Sequence, residues 1–249
     1  MSNEPILVSA VTVAYNSEAT IRDTIEAVLN QTYEKVEYII VDGASEDSTM
    51  EIVKSYEKAF EEKGYIYKYI SEKDGGMYEA MNKGIAMATG NIVGIINSDD
   101  WYEKNAMEVA AKAYMEEPYD MFYADLRIVG ENGSFIKVAK PMGKWVTSRK
   151  WNHPTTFITK DLYTKYSYRN KTIHDDWDLI LRLYKAGIKV TVKNETLANF
   201  RRNGVSHEKS IKKAWGRVKI KYGIYKENGY SPLYFIEIFA MEFAKLVVK

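Results

Sequence analysis

Strand-like and helix-like runs alternate through the first hundred residues, and this alternation limits the fold more than any other feature of the chain. Ile6 to Ala14 is a near-continuous apolar, β-branched run, as expected of a strand buried on both faces. Ile21, Ile25, Val28 and Leu29 then fall at helical spacing. Val36 to Val41 reads as a second strand, and Ile52, Val53, Tyr56 and Phe60 mark a second amphipathic helix. The strand Tyr65 to Ile70, a helix through Tyr78, Met81, Ile85 and Ala88, the strand Ile92 to Ile96 and the helix Asn105 to Tyr114 complete the series. Strands joined through helices run parallel, so the pattern predicts a mostly parallel sheet with helices on both faces.

The alternation stops after Asp120. Met121 to Val129 and Phe135 to Val138 flank Asn132-Gly133, a hairpin signal. A basic, aromatic loop follows from Lys140 to His153, then a strand from Pro154 to Thr159. A helix is expected from Asp176 to Ala186, closed by Gly187, and a last strand from Ile188 to Val192. Ile211, Ala214, Trp215, Val218, Tyr222 and Tyr225 share one helical face, with Lys212, Lys213, Arg217 and Lys221 off it. Ser231-Pro232 opens a final apolar helix running to Lys249. Glu237 and Glu242 make that helix costly as a membrane span.

Composition removes several kinds of chemistry. The 249 residues are 46% hydrophobic, enough for a sizeable core, and contain no cysteine, which excludes disulfides, thiol nucleophiles and thiolate metal sites. The three histidines, His153, His174 and His207, form no ligand cluster in sequence. The start, Met1 to Pro5, has no basic, apolar leader, so a cytoplasmic location is expected. The net charge of +1 conceals an asymmetry. Residues 201–249 hold 11 basic and 4 acidic residues, a net +7, while the body is acidic. An acidic body argues against nucleic acid as a partner; a basic tail points to a surface or polyanion.

Open α/β sheets bind ligands beyond the carboxyl ends of their strands. Those ends carry Tyr15-Asn16, Asp42, Asp74-Gly75-Gly76 and Asn97-Ser98-Asp99-Asp100. The first strand is followed by neither a dinucleotide glycine fingerprint nor a P-loop. Gly43 to Asp47 fails the serine-hydrolase elbow at its last position. Two adjacent acids at a strand end can hold Mg²⁺ or Mn²⁺ together with substrate phosphates. Asp42 can accept bonds from a base or ribose, and Tyr15 can stack on a base. The same residues also suit plainer work: Asp99 as a helix cap, Asp74-Gly75-Gly76 as a turn, Tyr15 as packing.

These stretches resemble glycosyltransferase family 2, whose fold is GT-A: Rossmann-like, with a mostly parallel sheet. The resemblance rests on Val11 to Asn16, Ile39 to Ser45, Asp74 to Gly84, Asn97 to Trp101 (its D-x-D region) and His174-Asp175-Asp176-Trp177-Asp178 (its later acidic motif). It implies a body over 1–207, with a nucleotide-sugar half at 1–120 and an acceptor and catalytic-base half at 121–207, and an amphipathic helical tail at 208–249. It implies an inverting, metal-dependent transfer from a nucleotide-diphosphate sugar, with a UDP-sugar as first choice, to a hydroxyl of a glycan or lipid-linked acceptor of bacterial polysaccharide biosynthesis. By the same resemblance Asp176 is the catalytic base. Asp100 binds Mn²⁺ or Mg²⁺, with Asp99 on metal or ribose, and Asp42 and Asp74 contact the nucleotide.

Tyr15, Asn16 and Asn82 join that donor set, and His153 and Asp175 are candidates for acceptor or metal. Many members carry an arginine before the asparagine of the third motif; here the pair is Met81-Asn82. A donor cation is therefore expected from Lys83, Arg201 or Arg202. A sugar nucleotidyltransferase and a non-catalytic nucleotide-sugar-binding module are the alternatives. The first lacks its glycine-rich, arginine-bearing loop after Tyr15, and the second needs a lost acid. The tail is expected to rest on the inner face of an anionic membrane, or else to dock on the body or form a homodimer interface.

Overall fold

The computed structural model describes residues 4–202 and 210–247; His207 and the 207/208 boundary lie outside the described residues. In chain order the elements are β1 (Val8–Ala14), α1 (Ile21–Leu29), β2 (Val36–Asp42), α2 (Thr49–Ser55), α3 (Glu57–Lys63), β3 (Ile66–Ser71), α4 (Met77–Met87), β4 (Ile92–Asn97), β5 (Trp101–Tyr102) and α5 (Ala106–Glu116). Then come β6 (Met121–Gly130), β7 (Gly133–Lys137), β8 (Phe157–Thr159), α6 (Lys160–Lys165), α7 (Asp175–Lys185), β9 (Val190–Arg201), α8 (Ile211–Glu227) and α9 (Tyr234–Val247). The chain divides into two compact units. The first comprises residues 1–167 and 188–202, the second 168–187 and 203–249.

The first unit holds one sheet in the order β3-β2-β1-β4-β8-β6-β9-β5, with β7 beside β6. The expected parallel sheet is present in β3-β2-β1-β4 and again in β6-β9, and these parallel pairs carry most of the registered residues. Antiparallel pairing joins β8 to β4 and β6, and β5 to β9. Every residue of β1 and β2 is buried, which explains their apolar runs: helices cover both faces. Strand residues alternate between faces. Val8, Ala10, Tyr38 and Ile40 meet Ile21, Ile25 and Val28 of α1, Val53 of α2 and Phe60 of α3 on one side. On the other, α4 lies so close that a methyl group on Gly84 would sit 2.3 Å from Val11 Cγ1.

Four elements depart from expectation. The helix foreseen through Ile52 and Phe60 is two, broken at Tyr56, whose hydroxyl donates to Glu26 and accepts from Arg22. The strand foreseen at Ile188 to Val192 runs on to Arg201 past the exposed Lys193-Asn194-Glu195. β5 and α6 gave no readable signal, being two and six residues long.

In the second unit, α7 groups with the tail helices, whereas the motif order put it in the body. Asp178 of α7 is buried and meets Arg182, Arg169 and the side-chain amide of Asn228. In α8 and α9, Arg217 and Lys221, foreseen off the apolar face, both pair with the fully buried Glu242, at 2.7 and 2.6 Å. Trp215 packs edge-on against Phe235, Phe239 and Phe243. No helix among the described residues is long and apolar enough to cross a membrane.

Candidate nucleotide-sugar site

β2 and β4 flank β1, so the strand order reverses at β1 and opens a crevice at the carboxyl ends. Parallel register pairs Ala14 with Asp42, Val13 with Asn97 and Asp42 with Ser71, which brings the segments after each strand to one rim. A cleft of about 1120 Å³ lies there, large enough for a nucleoside diphosphate sugar. Tyr15, Asn16, Asp74 and Asp99 of the expected set line it, together with Gly43, Ser98 and Lys73.

One wall is the pair of loops after β1 and β2. Asn16 (φ 47°) and Ala44 (φ 62°) both hold left-handed backbone, a conformation non-glycine residues seldom adopt without a surrounding structure that imposes it. The imposition is visible. Asn16 N–H donates to Ser45 Oγ at 2.8 Å, and Asn16 Oδ1 accepts from Glu46 N–H at 2.9 Å. Tyr15 is 64% exposed, its ring unburied beside the cleft. Gly43 keeps this wall open: a Cβ there would stand 3.1 Å from Asp74 Oδ2 and 3.4 Å from the Tyr15 ring. Asp74 turns its own loop by accepting from Gly76 N–H at 2.8 Å.

Asp42 does not face the cleft. It is fully buried, and its carboxylate accepts from Ser45 N–H at 3.0 Å, Ser71 Oγ at 2.6 Å and Ser45 Oγ. It holds the 43–45 turn from beneath rather than presenting an oxygen to a ligand.

The floor is the turn after β4, closed by Asp100 N–H donating to Asn97 carbonyl at 3.1 Å and joined to the β1 end by Ser17 and Ser98, whose hydroxyls lie 2.8 Å apart. Asp100 is fully buried. Its Oδ1 accepts from Arg201 N–H at 2.9 Å, but among the described residues Oδ2 has no hydrogen-bond partner, and neither does the buried Oδ1 of Asn97. Burial, and then the neighbouring Asp99, push the Asp100 carboxyl up to about 8; burial also raises Asp99. A buried carboxylate oxygen without a donor, beside a second carboxylate, is a hard oxygen donor set that suits a divalent cation. No cluster of three or more His, Asp or Glu side chains suited to a metal occurs among the described residues. The pair therefore fits an ion whose remaining ligands are phosphate oxygens and water.

The expected cations are not on the cleft wall. Lys83 is engaged by Glu72 at 2.9 Å and Glu79 at 3.3 Å. Arg201 braces the acidic turn instead: its guanidinium donates to the Asp99 carbonyl and to Asp23, and lies 4.9 Å over the Trp101 ring. Arg202 is exposed and, like Asn82, does not line the cleft. The cation lining it among the described residues is Lys73, whose signal in the sequence was its place directly before Asp74. His153 packs edge-on against Trp151, in a turn of the first unit.

Of the second unit's acids, Asp175 is buried, and its oxygens take Lys171 N–H, Thr172 N–H and the Thr172 hydroxyl at 2.7 to 2.9 Å. This occupies it with its own loop rather than with an acceptor or metal. Asp176 is half-buried in the first turn of α7, where Oδ1 accepts from Trp177 N–H.

The Glycosyl transferase family 2 profile matches residues 9–177, more than half of the chain and all of the cleft. The chain belongs to glycosyl transferase family 2. Among its relatives is TuaG of Bacillus subtilis, named for teichuronic acid biosynthesis, 28% identical over 91% of this chain and 90% of that one. GlyG, a glycosyltransferase of Streptococcus pneumoniae, is 26% identical over 80% of this chain and 72% of its own. Two solved structures share the fold at a TM-score of 0.67. Staphylococcus aureus TarS residues 1–349 with UDP-GlcNAc (19% identical) matches 96% of this chain and 72% of that one. The mannosyltransferase PcManGT of Pyrobaculum calidifontis with GDP-Man and Mn²⁺ (17% identical) matches 98% and 70%. This family-2 protein is thus a glycosyltransferase of the GT-A fold that takes its sugar from a nucleotide donor.

Proposed function

We propose that the protein is an inverting, metal-dependent glycosyltransferase that moves a sugar from a nucleoside diphosphate, a UDP-sugar being the first to test, to a hydroxyl of a glycan or lipid-linked acceptor. The observation that carries this reading is Oδ2 of Asp100, without a partner among the described residues and buried next to Asp99, which lines the cleft while Asp100 itself does not. TarS was solved with UDP-GlcNAc and PcManGT with GDP-Man and Mn²⁺, which supports the donor class and the ion type.

In this reading Tyr15 stacks on the base across the open wall kept by Gly43, and Asp74 accepts from the nucleoside. Asn16 and Asp42 shape that wall, and Lys73 faces the diphosphate. Asp99 and Asp100 hold Mn²⁺ or Mg²⁺, which when bound neutralises the departing diphosphate. Asp176 takes the proton from the acceptor hydroxyl as its oxygen bonds to the anomeric carbon and the bond to the diphosphate breaks, inverting that carbon. Asp175 fixes the loop before α7 so that Asp176 is presented. A lipid-linked acceptor would put the reaction at the inner face of a membrane.

A thermal-shift panel of nucleotide sugars with and without Mn²⁺ tests this. A ligand bound by the native state alone raises apparent stability. One donor is expected to raise Tm, more so with Mn²⁺; no shift with any nucleotide sugar overturns the reading.

A further inference from the structure

Most helices expose charge; α9 buries Glu242 along with Tyr234 and Ile238 and exposes apolar residues. Glu242 is fully buried and neutralised by Arg217 and Lys221 of α8. The exposed residues of α9 from Tyr234 to Ala244 are Phe235, Ile236, Phe239, Ala240 and Ala244, all apolar. Ile236 is 67% exposed. The patch continues onto α8 through Trp215, itself 40% exposed, which sits edge-on to Phe235 and Phe239. Lys212, Lys219 and Lys226 of α8 are exposed and recur every seven residues, so they share one stripe of the helix. At 100° per residue that stripe borders the one carrying Trp215 and Tyr222. A line of lysines thus edges an aromatic-aliphatic face whose fully exposed positions on α9 are all apolar among the described residues, with the half-exposed Glu237 beside them. This is the pattern of a helix pair lying in a membrane interface, with rings and aliphatic groups among the acyl chains and ammonium groups at anionic headgroups.

We propose that the α8–α9 hairpin docks on an anionic lipid surface, with Phe235, Ile236, Phe239 and Trp215 inserted and the Lys212, Lys219 and Lys226 stripe at the headgroups. Charge decides the occupant. The lysine stripe would repel its own copy, whereas it matches an anionic leaflet, to which each basic residue adds attraction. The internal ion pair lets α9 carry a glutamate without bringing its charge to that surface. The inference rests on the transfer reading only for why an enzyme would work there. Its test uses no nucleotide, so either can fail alone.

The experiment is co-sedimentation of the full chain with vesicles of phosphatidylcholine plus phosphatidylglycerol, against pure phosphatidylcholine, at low and high salt. The chain is expected to pellet with the anionic vesicles and to be released by salt. Ile236→Gln with Phe239→Gln is expected to lower the bound fraction on the order of tenfold or more, from the apolar area no longer buried. Lys212→Gln, Lys219→Gln and Lys226→Gln together are expected to abolish the difference between the two lipids without touching the apolar face. The proposal is overturned if the full chain stays in solution with anionic vesicles. It is equally overturned if binding ignores both sets of substitutions, or if the chain is a dimer that Ile236→Gln with Phe239→Gln disperses.

Discussion

In the first unit, β1 and β2 bury every residue and the carboxylates gather where the strands end; in the second, α9 buries Glu242 and leaves Phe235, Ile236 and Phe239 in solvent. The contrast separates two uses of a buried acid. Asp100 is buried with one oxygen left without a donor among the described residues, an arrangement that costs stability and that a cation would relieve. Glu242 is buried with two cations of its own and needs no ligand. The first arrangement is what the proposed metal site would use, and the second leaves the apolar α9 residues exposed.

The largest effect expected from this contrast lies in the second unit's other acid pair. Asp176→Asn should lower transfer about 10²–10⁴-fold, the usual worth of a general base, with donor affinity unchanged. Asp175→Asn should instead lower Tm, because its three local bonds hold a loop. Steady-state kinetics and thermal melts of both variants separate the roles; the reverse outcome exchanges them.

The buried triad gives the next largest change. Removing both cations, as Arg217→Met with Lys221→Met, leaves Glu242 an uncompensated buried charge and should destabilise by about 3–5 kcal/mol in urea unfolding. Adding Glu242→Leu should recover most of the loss. Without that recovery, Arg217 and Lys221 matter for something other than Glu242.

A smaller effect tests the first unit's packing. Gly84→Ala drives a methyl group to 2.3 Å from Val11 Cγ1 and should cost about 1–3 kcal/mol. Smaller again, Ile236→Gln on the exposed α9 face should shift stability by no more than about 0.5 kcal/mol, since the side chain packs on little. A large loss there would mean that the face is covered.

What could be read in advance follows the same divide. β1, β2 and the acids at the strand ends were legible because burial on both faces keeps the runs mostly apolar, with only Ser9, Thr12 and the ion-paired Glu37 interrupting them before the strands stop. β5 was not, because two residues show no period, and β9 was cut short by Lys193-Asn194-Glu195 on its exposed stretch. Whether an acid faces ligand or fold cannot be read from its type. Asp42 ends β2 and Asp74 lies three residues past β3, yet Ser45 and Ser71 occupy the first while the second lines the cleft. Lys73 carries no sequence signal beyond its place before Asp74, and only the fold sets it on the cleft wall. Glu242 marked a cost for a membrane span, and only packing reveals that Arg217 and Lys221 meet it.

The central claim, that Asp99 and Asp100 complete their coordination with a cation and a nucleoside diphosphate, is tested by titrating the nucleotide calorimetrically across pH, with and without Mn²⁺. In the empty fold burial holds the Asp100 carboxyl up to about 8, so it carries a proton at neutral pH that the unfolded chain has lost. The empty fold therefore loses stability as pH rises from the ordinary carboxylate range to about 8. Metal binding must displace that proton. Mn²⁺-dependent affinity should accordingly climb with pH, by up to about tenfold per unit, and level off above about 8. Asp100→Asn should remove both the Mn²⁺ dependence and the slope. Nucleotide affinity indifferent to Mn²⁺, to pH and to Asp100→Asn would contradict the account.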